Sequence, residues 1–336
     1  GKTMKSVKKL AGSALVLSTI LAGPALAADE QTITTVVKVT GENWFIRMNE
    51  GVDAFNADKE AIDATQIGPA QADAAQQARI IEDLVAKGVS AIAVVPMDPS
   101  ALEGVLRRAQ GRGIKVIAHE GDSIVNADAD IEAFDNAAFG TKINEGLAEC
   151  MGGEGKWTTF VGSLGSLTHN QWVDAGAANA EAKYPGMELV AAKNESFNDA
   201  NKAYEKAKEI LRAYPDIKGF QGSSAIDVIG IGRAIEEAGR SDQTCVFGLG
   251  LPKDTGPYLE TGAVDRIYFW DPKDAGYVMN VVSEKILNGE EITDGADLGV
   301  QGYNSVKVSQ GPGKGIIIQG QAWVDVGKEN YGKYPF

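Results

Sequence analysis

The stretch AIAVVPMDPSALEGVLRRAQGRGIKVIA, from Ala91 to Ala118, holds one complete structural unit. Ala91 to Val95 is an unbroken apolar run stopped by Pro96, the pattern of a strand buried on both faces. From Ser100 to Arg112 the apolar residues Leu102, Val105, Leu106 and Ala109 recur at helical spacing. Ser100 stands where an N-cap belongs and Gly113 where a helix stops. Lys115 to Ala118 is a second apolar strand. A strand, a helix and a strand joined by short links make a parallel crossover unit.

The same alternation extends in both directions. Upstream, Thr32 to Val39 reads as a buried strand, Trp44 to Ala57 as a helix, Ala61 to Gln66 as a short strand and Ala70 to Lys87 as a helix ended by Gly88. Downstream a second series begins with a helix from Gly140 to Met151. It continues through strands at 157–161, 188–192, 218–220, 245–249 and 266–270, with helices at 171–184, 201–213, 227–238, 253–261 and 274–288. Two such series predict an α/β protein of two doubly wound parallel-sheet lobes. The expected division assigns 28–134 plus 250–290 to an N-terminal lobe and 135–249 plus 291–336 to a C-terminal lobe. Three hinge crossings are expected near 134–136, near 247–250 and after the helix ending near Asn288.

The N-terminus has a different character. Lys5, Lys8 and Lys9 precede a mostly apolar run from Leu10 to Ala22, followed by Gly23, Pro24 and Ala25-Leu26-Ala27. A basic start, a short apolar core and a small-x-small site read as a secretory signal peptide over residues 1–27, too short to be a membrane span. The net charge of −14 opposes nucleic-acid binding and docking on anionic lipid. In an oxidising compartment the only two cysteines, Cys150 and Cys245, can pair or stand apart as buried thiols.

In open parallel sheets ligands bind beyond the carboxyl ends of the strands, and two lobes place that region in a cleft. The residues following each strand are therefore the candidates. They include Lys38, Asn43, Trp44 and Phe45; His119, Glu120 and Asp122; Thr168, His169 and Trp172; Phe197 and Asn198; Ser223, Ser224 and Ala225; Trp270 and Asp271; and Asn136 at the first crossing. Charged, amide and hydroxyl groups beside aromatic rings suit a polyol, whose hydroxyls both donate and accept while its apolar face rests on a ring. Trp44 and Phe45 read as cleft rings with core as the alternative, and Asp271 could equally be a helix N-cap. The two histidines have no partners at metal-ligand spacing, so no metal is expected. Neither a phosphate loop nor a Gly-x-Ser-x-Gly turn is present, so neither a nucleotide cofactor nor hydrolase chemistry is expected.

Several motifs carry a family resemblance: Lys38-Val39-Thr40-Gly41 before Asn43-Trp44-Phe45, Asn170-Gln171-Trp172, Phe197-Asn198-Asp199-Ala200, Trp270-Asp271 and the closing Gly332-Lys333-Tyr334-Pro335-Phe336. With these the chain resembles the periplasmic sugar-binding proteins of the ribose-like class, closest to the autoinducer-2-binding and rhamnose-binding branch. The resemblance implies capture of a small sugar or sugar alcohol for an ABC transporter permease, as a monomer, with presentation to a chemoreceptor a compatible role. The autoinducer-2 proteins hold their ligand with a Lys, a carboxylate, an Asp-Gln pair and a Pro-x-Ala turn. Lys38 and Ala225 match that set. Glu120 is one methylene longer than its counterpart, Thr168 and His169 replace the Asp-Gln pair, and Ser223 replaces the Pro. These departures imply a different polyhydroxylated ligand, with autoinducer-2 as the alternative.

Overall fold

The structure, a computed structural model, describes residues 29–336 together with residues 3 and 23. The expected signal peptide at 1–27 thus lies almost wholly outside the described residues. Among those described, no helix is long and apolar enough to cross a membrane.

Two seven-stranded sheets, each mainly parallel, form the centres of two lobes. The first contains β1 (Gln31–Val36), β2 (Ile62–Ile67), β3 (Ala91–Val94), β4 (Lys115–His119) and β5 (Ala129–Glu132). The opening crossover unit appears here as β3, α3 (Pro99–Gly111) and β4, with β3 and β4 paired in parallel register. All four residues of β3 are buried, as its unbroken apolar run requires. One detail differs. Asp98, not Ser100, caps α3 by accepting from Ser100 N, because Pro99 has no N–H and fits the first helical turn.

The second lobe contains β6 (Glu154–Val161), β7 (Gly186–Leu189), β8 (Asn194–Glu195), β9 (Gly219–Gly222), β10 (Cys245–Leu249) and β11 (Arg266–Phe269). Its helices are α4 (Asn136–Met151), α5 (Leu167–Lys183), α6 (Ala200–Ala213), α7 (Asp227–Glu237) and α8 (Pro252–Thr261). Cys150 at the end of α4 is disulfide-bonded to Cys245 at the start of β10, within this one lobe.

The lobe boundaries differ from those expected. Strand β11 pairs with β10, so residues 250–270 belong to the second lobe, not the first. Helix α9 (Pro272–Leu287) returns to the first lobe and packs on α1 (Asn43–Asp58). There Gly51 faces Lys273 O so closely that a Cβ would sit 1.9 Å from it. The chain after α9 stays in the first lobe, where β12 (Lys307–Gln310) and β13 (Ile316–Gln319) extend the sheet from β5. Only β14 (Val324–Val326) rejoins the second sheet, antiparallel to β11. The crossings therefore lie at 133–135, at Trp270-Asp271 and at 320–323. The first was expected there. The second was placed one strand early, because the Gly248-Leu249-Gly250 run resembles a sheet exit but continues a paired strand. Strands β12–β14 are short and half exposed, which erases the periodic signal that would have placed the third.

Candidate functional site

The carboxyl ends of both sheets face one interlobe pocket. Its first-lobe wall carries Lys38, Glu42, Trp44, Phe45 and Glu120, and its second-lobe wall carries His169, Trp172, Asn198, Ser223, Ser224, Ala225 and Leu249. Trp270, on the second crossing, closes the back.

Each side chain arrives by a local rule. Lys38 and Glu42 sit in the turn between β1 and α1. Glu120 directly follows β4 with φ of +61°, a left-handed conformation that a non-glycine residue adopts only when its surroundings hold it. The holder is visible. Glu120 N donates to Glu132 Oε2 at 2.7 Å, and Gly121 N donates to Asp130 Oδ1 at 3.0 Å. Asp130 and Glu132 are both buried in β5, and burial pushes both carboxyls well above their ordinary range. Phe197 and Asn198 repeat the device in the second lobe, with φ of +53° and +54°.

The two walls touch through polar groups. Thr168 Oγ1 donates to Glu120 Oε1 at 2.6 Å, and Lys38 Nζ lies 3.8 Å from the same oxygen. Asn198 Nδ2 donates to Glu42 Oε2 at 3.1 Å, and Ser224 Oγ reaches Glu42 Oε1 at 3.5 Å. Burial raises the Glu42 carboxyl to about 7, against the lowering pull of Asn198 and Lys38. Under the second wall, Asp227 Oδ2 accepts from Ser223 N and Ser224 N, fixing that turn, and burial raises its carboxyl to about 6.

Both histidines are held in the neutral form by their surroundings. Burial lowers their basicity, that of His169 most strongly, with Lys38 adding to it. His169 Nδ1 accepts from Gly162 N at 2.9 Å. His119 bonds Ile131 O through Nδ1 and accepts from Trp270 Nε1 at 3.2 Å.

Of the residues expected in the cleft, Lys38, Trp44, Phe45, Glu120, His169, Trp172, Ser223, Ser224, Ala225 and Trp270 meet at the pocket. His119, Thr168 and Asn136 stand just behind it. Thr168 and His119 are joined to Glu120 and Trp270 as above, while Asn136 accepts from Trp172 Nε1 and donates to Glu132. Four others point elsewhere. Asn43 bonds Asp254 at the exposed mouth, and Asp122 accepts from Gln171. Phe197 is 40% exposed beside Lys202, because its left-handed backbone turns the ring out and Asn198 in. Asp271 caps α9 and pairs with Arg47, so its role is the N-cap.

Asn198, expected in the cleft as a residue following a strand, also lines the pocket, and Glu42 and Leu249 complete it beyond the expected set. Asn198 carried a usable signal: Asn tolerates positive φ and stands in a turn before the Asp199 cap. Glu42 carried none, since a charged residue in a turn normally faces water.

The comparisons with known proteins agree with this geometry. Residues 33–291 match the periplasmic binding protein domain family. The chain is 25% identical over 273 residues to the D-allose-binding periplasmic protein of Escherichia coli, covering 79% of this chain and 86% of that one. Among solved structures, an ABC transporter solute-binding protein from Clostridium phytofermentas with bound L-rhamnose superposes with a TM-score of 0.83 at 20% identity, covering 92% and 99% of the two chains. LsrB from Clostridium saccharobutylicum, in complex with AI-2, superposes with a TM-score of 0.82 at 20% identity, covering 91% and 100%. By its matched domain the chain belongs to the periplasmic binding protein family, and its two-lobed α/β fold is that of the solved structures it resembles.

Proposed function

We propose that this protein captures one small sugar or sugar alcohol between its lobes and delivers it, chemically unchanged, to an ABC transporter permease. The observation that carries this reading is the pocket wall itself. The first lobe supplies carboxylate and ammonium groups, the second supplies amide and hydroxyl groups, and the aromatic rings of Trp44, Phe45, Trp172 and Trp270 stand around them. A buried hydroxyl needs matched donors and acceptors, and a sugar's apolar face needs a ring. The amide oxygen of Asn198 has no partner among the described residues, so it is free to accept from a ligand hydroxyl.

Autoinducer-2 is the second reading, supported by Lys38 and by Ala225 in the pocket wall. The sugar reading is preferred because Thr168, a neutral hydroxyl, faces Glu120 where the autoinducer-2 proteins supply an Asp. We place the protein in the periplasm, reached by a signal peptide at 1–27, acting as a monomer and able to serve a chemoreceptor as well. The test is a thermal-shift panel of tetritols, pentoses, hexoses, hexitols and autoinducer-2, backed by mass spectrometry of the small molecule released on denaturation. A ligand of the native state raises Tm by mass action. A shift with one polyol, recovered unchanged, supports the reading. A shift with autoinducer-2 alone reverses the ranking, and turnover of the bound sugar overturns the transport role.

A further inference from the structure

Glu42 is a pocket carboxylate whose hydrogen-bond partners both come from the opposite lobe. It stands in the first lobe between β1 and α1, and both groups that bond it, Asn198 and Ser224, belong to the second. When the lobes part it loses both and returns to water. In the closed molecule it is only 8% exposed, and no cation among the described residues bonds it directly. The nearby cation, Lys38, is engaged with Glu120 at 3.8 Å. We propose that Glu42 couples closure of this cleft around a neutral ligand to proton uptake, because closing moves its carboxyl from water into a buried site that the opposite lobe completes without a cation. This rests on the reading of the interlobe pocket as the ligand site.

The charge count around Glu42 agrees. From its own lobe it faces Lys38 and Glu120, which balance each other. From the second lobe it faces Asp227, whose negative charge disfavours a second one. Closure around a neutral polyol therefore takes up a proton. A ligand bearing an amine would instead keep Glu42 ionised and reverse the dependence.

The sign follows from linkage. The closed-state carboxyl lies near 7 and the open, hydrated one near its ordinary 4.5. The closed state therefore binds more protons between those values, and affinity falls as pH rises through 7. From pH 6 to pH 8 the expected loss is about tenfold. The other buried groups do not supply it. Asp227 is held by Ser223 N and Ser224 N of its own lobe, open or closed. His169 accepts from Gly162 N, also of its own lobe, and His119 from Trp270 N–H at the hinge, so neither gains a proton on closing.

Two measurements test this. Calorimetry with the polyol that shifts Tm in the panel, run at pH 6 and 8 in buffers of different ionisation enthalpy, should show net proton uptake and about tenfold weaker binding at pH 8. The same titration with Glu42→Gln should show neither. Equal pH slopes in the two proteins, or proton release, overturn the proposal. The second measurement needs no ligand. Asn43 and Asp254 bond across the mouth at 3.0 Å, so an N43C/D254C disulfide locks the lobes closed. An NMR titration of glutamate-labelled protein, with E42Q for assignment, should place the Glu42 midpoint above 6 when locked and near 4.5 when the lock is reduced. A locked midpoint near 4.5 overturns the proposal even if no polyol binds, whereas a failed panel with a raised midpoint overturns only the ligand reading.

Discussion

Thr168 of the second lobe donates a 2.6 Å hydrogen bond to Glu120 of the first, through the oxygen that also faces Lys38. The contact spans the cleft and forms only when the lobes are together. Glu120 is presented to it by a left-handed backbone that Glu132 holds from behind. Closure is thereby tied to an anchored charge rather than to a mobile side chain.

Thr168→Val keeps the shape of the side chain and removes the donor. Hydrogen bonds to a charged group contribute about 1.5–3 kcal/mol, and the acceptor left behind stays buried. Ligand affinity should fall about tenfold or more, while Tm of the ligand-free protein, whose open cleft hydrates Glu120, stays within about a degree. Unchanged affinity by calorimetry would show that the contact is not used in closing.

Lys38→Met keeps the apolar stem and deletes the charge. In the closed form Glu120 is then buried without a cation, and breaking a buried pair in this way costs about 3–5 kcal/mol. Because the penalty falls on closure, binding should weaken at least about a hundredfold with little change in the unfolding transition. A large loss of Tm without ligand would instead assign Lys38 to the fold.

How far the sequence reaches is visible in these residues. The β3-α3-β4 unit was legible because a fully buried strand and an amphipathic helix leave unlike hydrophobic periods. Lys38 and Glu120 were legible because a charge directly after a buried strand must leave the core at the sheet's carboxyl end. Strand β5 was not, because its Asp130 and Glu132 are carboxylates buried under Glu120 and break the apolar signature. The same holds for Glu42, whose neighbours are supplied by a lobe more than a hundred and fifty residues away in sequence. Strand periodicity reports how a residue meets its own sheet. It is silent about contacts made across a hinge.

The Cys150–Cys245 bond closes a loop of 95 residues inside the second lobe. Replacing both cysteines with serine should cost that lobe about 2–5 kcal/mol, chiefly by freeing the unfolded chain. The measurement is denaturant unfolding of the double variant beside the oxidised protein. Because the bond joins α4 to β10 behind the sheet, ligand affinity below the transition should be unchanged. A loss of affinity matching the loss of stability would mean that the pocket itself depends on the bond.

Gly140 of α4 lies against the backbone of Trp172 on α5, where an added Cβ would stand 2.2 Å from Trp172 O. Backbone offers no flexible end that could move aside, so Gly140→Ala must push the helices apart. Overpacking of this kind costs about 1–3 kcal/mol. Trp172 also lines the pocket, and its indole N–H is fixed by Asn136 at 2.8 Å, one turn before Gly140. The displacement should therefore reach the ligand, lowering affinity as well as Tm. Gly51→Ala is the matched control. It forces α1 from α9 in the first lobe by the same kind of clash, with Lys273 O. No pocket side chain is carried by the residue it strikes, so it should lower Tm comparably with the smaller effect on affinity. Equal losses of affinity in the two variants would show that the cleft responds to general loosening of either lobe and not to the position of Trp172.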